Sequence, residues 1–355
     1  MRCAFAPLLV LASCTTPAPV CTNGVLVVGE APDLSASEVG SLPLDGTPAA
    51  MLEGSQLGAD PALASSAGRH FFVARDLDMV FEIDSCGRGI GQWSAATLGD
   101  PHTDPQDVAV APDGSLWVPR FLVPQLLVIG TQVTTIDLAK FDSDGNPDMS
   151  SVRIVGNDAF VTIERLNPYP QSVQPSQVLV LDTTTLQLVK QITLVGRNPF
   201  GPMVESPGAL WLAEPGNFAD AAESAAGIEV VDTQAMTSKL LLSETSLGGS
   251  VTQIAVGQTC GAAIVAGATT ASKDNSTALV TFALDGSSVS APILSSSSFD
   301  LRGLLFTNDG RLLVGDRRRT PDGFPVHVFT VGPGCALSQG TDLIVPKVAP
   351  LAFAN

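Results

Sequence analysis

Residues 105–138, PQDVAVAPDGSLWVPRFLVPQLLVIGTQVTTIDL, constrain this chain more than any other stretch, because their pattern recurs along it. The stretch reads as four short strands at 107–111, 116–120, 126–129 and 133–136, and Pro112-Asp113-Gly114 turns the first into the second. Runs of β-branched and large apolar residues bounded by Gly, Pro, Asp and Gln carry the strand signal.

The unit repeats on both sides. Upstream, 70–75 (HFFVAR) and 79–83 (MVFEI) match its second and third strands. Downstream, strands are expected at 152–155, 160–163, 178–181 and 189–194, and then at 203–205, 210–213, 228–231 and 238–242. Two more sets follow at 254–256, 263–266, 278–282 and 289–292, and at 301–307, 311–315, 326–331 and 343–345. Ser206-Pro207-Gly208 and Asn308-Asp309-Gly310 fall where Pro112-Asp113-Gly114 does. A four-stranded repeat of about 35–50 residues predicts a propeller. The ends supply one more unit. Residues 25–30 (VLVVGE) read as a second strand and 39–44 as an outer one, while 350–355 read as a first strand with nothing after it. Joined, they predict an all-β, seven-bladed β-propeller over 23–355 with no free sheet edge. If 25–44 were a loose arm, there would be six blades.

Composition agrees. Apolar residues make up 45% and charged residues 15%, with 33 Gly and 26 Pro, which suits short strands and tight turns rather than helix bundles. The net charge of −17 speaks against a nucleic-acid partner, since phosphate binding needs clustered Lys and Arg. The basic run Arg317–Arg319 reads as a solvated loop.

The first residues read as an address. Arg2 precedes a short apolar run at 4–12, too short to span a bilayer as a helix. The run ends in Leu11-Ala12-Ser13-Cys14, which resembles the lipobox of bacterial lipoproteins. The resemblance implies a signal peptide at 1–13, a lipid anchor on Cys14, a tether at 14–22 and membrane attachment through the lipid. Thr15 is not the Asp that retains such proteins at the inner membrane of enteric bacteria, so the outer membrane is expected. Four further cysteines, Cys21, Cys86, Cys260 and Cys335, permit two disulfides in such a compartment, and spacing leaves the pairing open.

The PQDVAVAPDGSLWV block, with VLVLDTTTLQLVKQITL and IEVVDTQAMTSKLLL, resembles the seven-bladed lactonase-like propellers, including the YVTN-repeat surface proteins. The resemblance spans about residues 23–355 and implies a disc with a central channel, but little about chemistry. In such propellers the first strand lines the channel, and the loops after the second and fourth strands share one face.

Aligned second strands give one column: Glu30, Arg75, Arg120, Glu164, Glu214, Gly267 and Asp316. Six charges at one position suggest a polar rim for a small anionic, sugar or peptide ligand, with Arg120 and its counterparts facing it. The same charges could instead pair with one another and hold the blades in register. Asp142, Asp144, Asn146 and Asp148 place oxygens at alternating positions, as at the start of an EF-hand loop, and are candidate Ca2+ ligands. Pro147 and Arg153 stand where that motif needs Gly and Glu. The lactonase-like resemblance implies a channel metal, which Glu30 or Glu164, Asn198 and Asp316 could imitate. His70 and His327 read as packing residues, and Trp117 and Trp211 share a column that packs between blades. Long loops at 167–176, 216–227 and 269–276 follow second strands and gather on one face. The expected function is therefore an envelope lipoprotein whose loop-rich face binds an envelope protein or a small polar ligand. The alternative is a metal-dependent lactonase-like hydrolase.

Overall fold

The structure, a computed structural model, describes residues 21, 24–52, 57–100, 102–217, 223–267 and 275–355. The expected signal peptide, Cys14 and most of the tether lie outside these residues, as do parts of the loops at 216–227 and 269–276. Seven antiparallel sheets form a ring, and each has at least four strands. Blade 1 joins the two ends of the chain, in the order Ala349–Ala354, Gly24–Glu30, Ser37–Pro43 and Ala50–Leu52. Leu26 stands opposite Ala354 and Glu30 opposite Ala349. The ring has seven blades, and 25–44 is no loose arm.

Blade 2 comprises Pro61–Ser66, Arg69–Ala74, Met79–Ile83 and Gly89–Ser94. Blade 3 comprises Ala109–Val110, Leu116–Val118, Gln125–Ile129 and Val133–Asp137. Blade 4 comprises Met149–Val155, Asp158–Ile163, Gln177–Asp182 and Leu188–Thr193. Blade 5 comprises Val204–Ser206, Ala209–Glu214, Gly227–Asp232 and Thr237–Ser243. Blade 6 comprises Ser250–Val256, Cys260–Ala266, Thr277–Ala283 and Leu294–Ser296. Blade 7 comprises Leu301–Phe306, Arg311–Asp316, Phe324–Val331 and Leu337–Gln339, and Leu343–Val345 also pairs with its third strand. Three predicted turns carry glycines at positive φ (Gly114 at 86°, Gly208 at 77°, Gly310 at 85°), which a β-carbon would strain. The outer strand of blade 6 lies at 294–296 rather than 289–292, since Val289 makes only an isolated bridge to Phe282.

The core is divided among the blade interfaces. Seven apolar clusters join neighbouring blades in turn round the ring. Within blade 3, Leu116 and Val118 face blade 2, and Trp117 faces blade 4. Both faces of such a sheet are covered, so its strands are apolar at successive positions instead of alternating with polar residues. Trp117 is wholly buried and Trp211 nearly so, each between two blades as expected. A disulfide joins Cys21 to Cys86, with their Cα atoms 5.2 Å apart, and ties the approach to blade 1 to blade 2. No helix among the described residues is long and apolar enough to cross a membrane.

Candidate functional site

The ends of the second strands and the starts of the first strands meet on one face, and the charged column separates there into three kinds of residue. Arg120 is wholly buried. It donates from Nε to the Gln125 carbonyl (2.8 Å) and from Nη1 to the Ala95 carbonyl (3.2 Å) and Thr97 Oγ1 (3.1 Å). It ties blade 3 to the segment leaving blade 2, so the expectation that it faces a ligand is corrected. Asp316 is likewise engaged. Arg318 forks onto it (Nη2–Oδ2 2.6 Å), and His327 Nε2 lies 3.0 Å away. Burial opposes ionisation of Asp316, but His327 and Arg318 outweigh it and hold the carboxyl at about 2. His327 is thus a charge partner between Asp316 and Asp342 rather than mere packing. The basic run is no solvated loop either: Arg317 reaches Glu30 across the closing blade (3.2 Å), and Arg319 lies over the Phe324 ring.

Glu214 is the second kind. It is wholly buried, and no described residue donates to either of its oxygens. Burial, then the facing Glu229 carboxyl, raises it well above the usual carboxylate range. Glu229 accepts the backbone N–H groups of Val195 (3.0 Å) and Gly196 (2.7 Å). Any side chain at Gly196 would collide with the Glu214 carboxyl. Glu214 therefore carries the proton lying between the two acids. A group raised in the folded state stabilises below its unfolded pKa, and that contribution is lost as the pH rises toward its folded value. Glu214→Gln keeps the shape of the side chain and removes the titration. It should raise the unfolding free energy at pH 8 by about 1–2 kcal/mol and change little at pH 4.5. Urea melts at the two pH values check this, and a loss at pH 8 would overturn the assignment.

Glu30, Arg75 and Glu164 are the third kind, and they surround the channel mouth with residues outside the column. Arg75 Nη1 lies 3.5 Å from Asp60 Oδ1, and its Nε has no described partner. Burial raises Glu164 well above its ordinary value. The charge of Asp148 adds to this, while a hydrogen bond with Ser150 and the Arg75 guanidinium oppose it. Burial also raises Asp104, to about 6, against the pull of Arg75. Arg302, on the channel-lining strand of blade 7, stands beside a bulge between Arg302 and Leu304. Bulges re-aim side chains. Burial pulls its guanidinium down, and among its charged surroundings are Arg317, Glu30, Asp60 and Arg75. It makes no ion pair or hydrogen bond with another described residue through that guanidinium. Sequence reasoning missed Arg302; its signal was a lone Arg in the channel-lining strand LRGLLF.

The acidic loop of blade 4 does not present converging oxygens. Asp142 Oδ1 accepts from Ser143 N (2.6 Å), and Asp144 Oδ1 accepts from Asn146 N (2.9 Å). Asn146 turns its amide donor onto Asp148 Oδ1 (2.9 Å), and Asp148 Oδ2 accepts from Leu166 N (2.8 Å). A cation would need oxygens there, not a donor. Burial, with the charges of Asp144 and Asp142, raises Asp148 to about 7. Among the described residues no three His, Cys, Asp or Glu side chains are placed to hold a metal ion. Asp142, Asp144, Asn146 and Asp148, expected to hold Ca2+, are thus partly bonded within their own turn, while Asp142 Oδ2 and Asn146 Oδ1 are buried without a hydrogen-bond partner. Of the lactonase-like set, Asp316 and Glu30 are paired with Arg318 and Arg317, and Asn198 donates from Nδ2 to the Gly216 carbonyl (2.8 Å) while its Oδ1 is buried without a hydrogen-bond partner.

The face around the mouth is also where large apolar side chains are exposed. Leu34, Leu77, Leu98, Leu122, Tyr169, Val173, Val195, Phe200 and Phe299 all lie in loops after second strands or between blades. The remaining exposed ones lie on or next to outermost strands, and none lies in the turns of the opposite face.

No family model and no curated protein matches the chain. Solved structures do. A streptogramin B lyase structure is 14% identical over 83% of this chain and 91% of that one, with a TM-score of 0.56. The dihydro-heme d1 dehydrogenase NirN is 15% identical over 96% of this chain and 76% of that one, with a TM-score of 0.58. A protein from Lactobacillus plantarum is 14% identical over 93% and 99%, with a TM-score of 0.55. Likeness at these identities shows the propeller fold alone, and the neighbours differ in their named activities.

Proposed function

We propose that the chain is an envelope lipoprotein, held to the outer membrane through Cys14, whose loop-rich face binds a partner offering a carboxylate among apolar groups. The observation that carries this is Arg302, a half-buried guanidinium lining the channel with no ion-pair partner among the described residues. Arg75 and Arg317 add positive charge beside it, against the carboxylates of Glu30 and Asp60. In a chain of net charge −17 these three guanidinium groups gather positive charge at the mouth, balanced by Glu30, Asp60 and, beside Arg75, Asp104. An Arg fork suits a carboxylate. The exposed Leu98, Leu122, Tyr169, Phe200 and Phe299 give the apolar part of such a partner somewhere to rest.

The test uses a short apolar peptide with a free C-terminus, against its C-terminal amide. The free acid should raise the melting temperature of the wild type, and the amide should bind at least about tenfold more weakly. Arg302→Met should abolish the difference without lowering the melting temperature of the unliganded protein. Equal binding of acid and amide, or binding unchanged by Arg302→Met, would overturn the reading of the mouth. Cys14→Ala should move the protein from the membrane to the soluble fraction of the cell, and retention in the membrane would overturn the anchor.

A further inference from the structure

We infer that Cys260 and Cys335 form a second disulfide, joining blade 6 to blade 7. Cys260 opens the second strand of blade 6, opposite Ala283, and the next residue, Gly261, faces Phe282. Cys335 sits in the turn after the third strand of blade 7 and packs on those two strands of blade 6. Its thiol donates to the Phe282 carbonyl (3.6 Å), and Thr281 Oγ1 donates to the Cys335 carbonyl (3.1 Å). Cys335 has φ of 63°, a conformation that side-chain-bearing residues rarely adopt, and follows Gly334 at 65°. Both are free thiols in the structure, and Cys335 is among the groups that shift the Cys260 thiol, so the two side chains are close neighbours.

The repeat itself supplies a second observation. Cys21 lies just before the second strand of blade 1 and is bonded to Cys86, in the turn after the third strand of blade 2. Cys260 and Cys335 stand in the same relation, from the second strand of one blade to the third-strand turn of the next. The fold thus brings a cysteine pair together twice at equivalent places, and one of the two is already bridged. Both pairs lie on the face opposite the channel mouth, so this inference is independent of the ligand proposed there.

The reaction is an exchange with an external disulfide, RSSR, supplied by an oxidised thiol compound or a disulfide-donating protein of the envelope. The half-buried Cys335 attacks first, releasing one RSH and leaving a mixed disulfide. Cys260 then attacks Cys335 Sγ, and the second RS− leaves with the Cys260 proton. Two thiols are oxidised, one RSSR is reduced to two RSH, and atoms and electrons balance. The order follows from exposure: Cys260 is 1% exposed, and burial and its contact with Cys335 push its thiol up to about 12.

The experiment alkylates the protein purified from envelopes in denaturant without reductant, then maps the peptides by mass. The expected result is no label on Cys260 or Cys335 and one cross-linked peptide pair holding both. Label on both would overturn the inference. For protein purified reduced, oxidised glutathione added to the folded chain should close the bond, and a lasting glutathione adduct on Cys335 would overturn it. Under non-reducing conditions Cys335→Ser should melt about 5 °C below the oxidised wild type, and equal melting would count against a formed bond.

Discussion

A chain ended at Val348 is expected not to fold. The missing strand, Ala349–Ala354, is the innermost of blade 1 and pairs with Gly24–Glu30 along its length. It places Phe353 in the apolar cluster shared with blade 7 and Ala354 in the one shared with blade 2. Its loss exposes one edge of Gly24–Glu30 and opens two of the seven blade interfaces. Removing a buried Phe alone costs about 3–5 kcal/mol, and a domain's whole net stability is about 5–15 kcal/mol. Far-UV circular dichroism and gel filtration would read the result. A cooperative melt within about 5 °C of the full-length protein would contradict it. A permuted chain separates the cause from the deletion. Because Ala354 lies opposite Leu26, residue 355 can be joined to Gly24 by a short turn, giving the first-to-second-strand hairpin that the other blades possess. With new ends placed between Val345 and Ala349, that chain should fold.

Arg120→Met should lower the unfolding free energy by about 3 kcal/mol, seen as a fall in the urea midpoint at unchanged slope. The guanidinium is wholly buried and satisfies two carbonyls and one hydroxyl. Met fills similar space but donates nothing, so the Gln125 and Ala95 carbonyls lose a donor in the interior. The change also removes a cation within electrostatic reach of Asp78, a buried carboxylate held by Thr103 and Asp104. An unchanged midpoint would return Arg120 to the ligand-facing surface, which its burial contradicts.

Much of the fold was legible because each blade is a local object. Strand runs and their Gly turns lie within one repeat, so periodicity and turn chemistry locate them without knowledge of the neighbours. The strands that were missed or misplaced lack that local signature. Pro61–Ser66, the inner strand of blade 2, is PALASS, with no β-branched residue, and it is held in place by pairing with Arg69–Ala74. The outer strand of blade 6 likewise follows from pairing, since Leu294–Ser296 is hardly more strand-like than the segment before it.

The sequence by itself determined the repeat and the alignment of charges on one face, because these depend on spacing along the chain, whereas pairing of the two ends in blade 1 decided between six blades and seven. The sequence could not determine what each aligned charge meets, because the partners come from distant segments: Glu30 and Arg317 are separated by 287 residues, and Arg153 and Asp107 by 46. Only the tertiary structure decided that Arg120 is interior, that Glu214 holds a proton against Glu229, and that Arg302 is left in the mouth without an ion-pair partner among the described residues. Burial and neighbouring charge set what an ionisable group does, and both are properties of the packed ring rather than of the repeat.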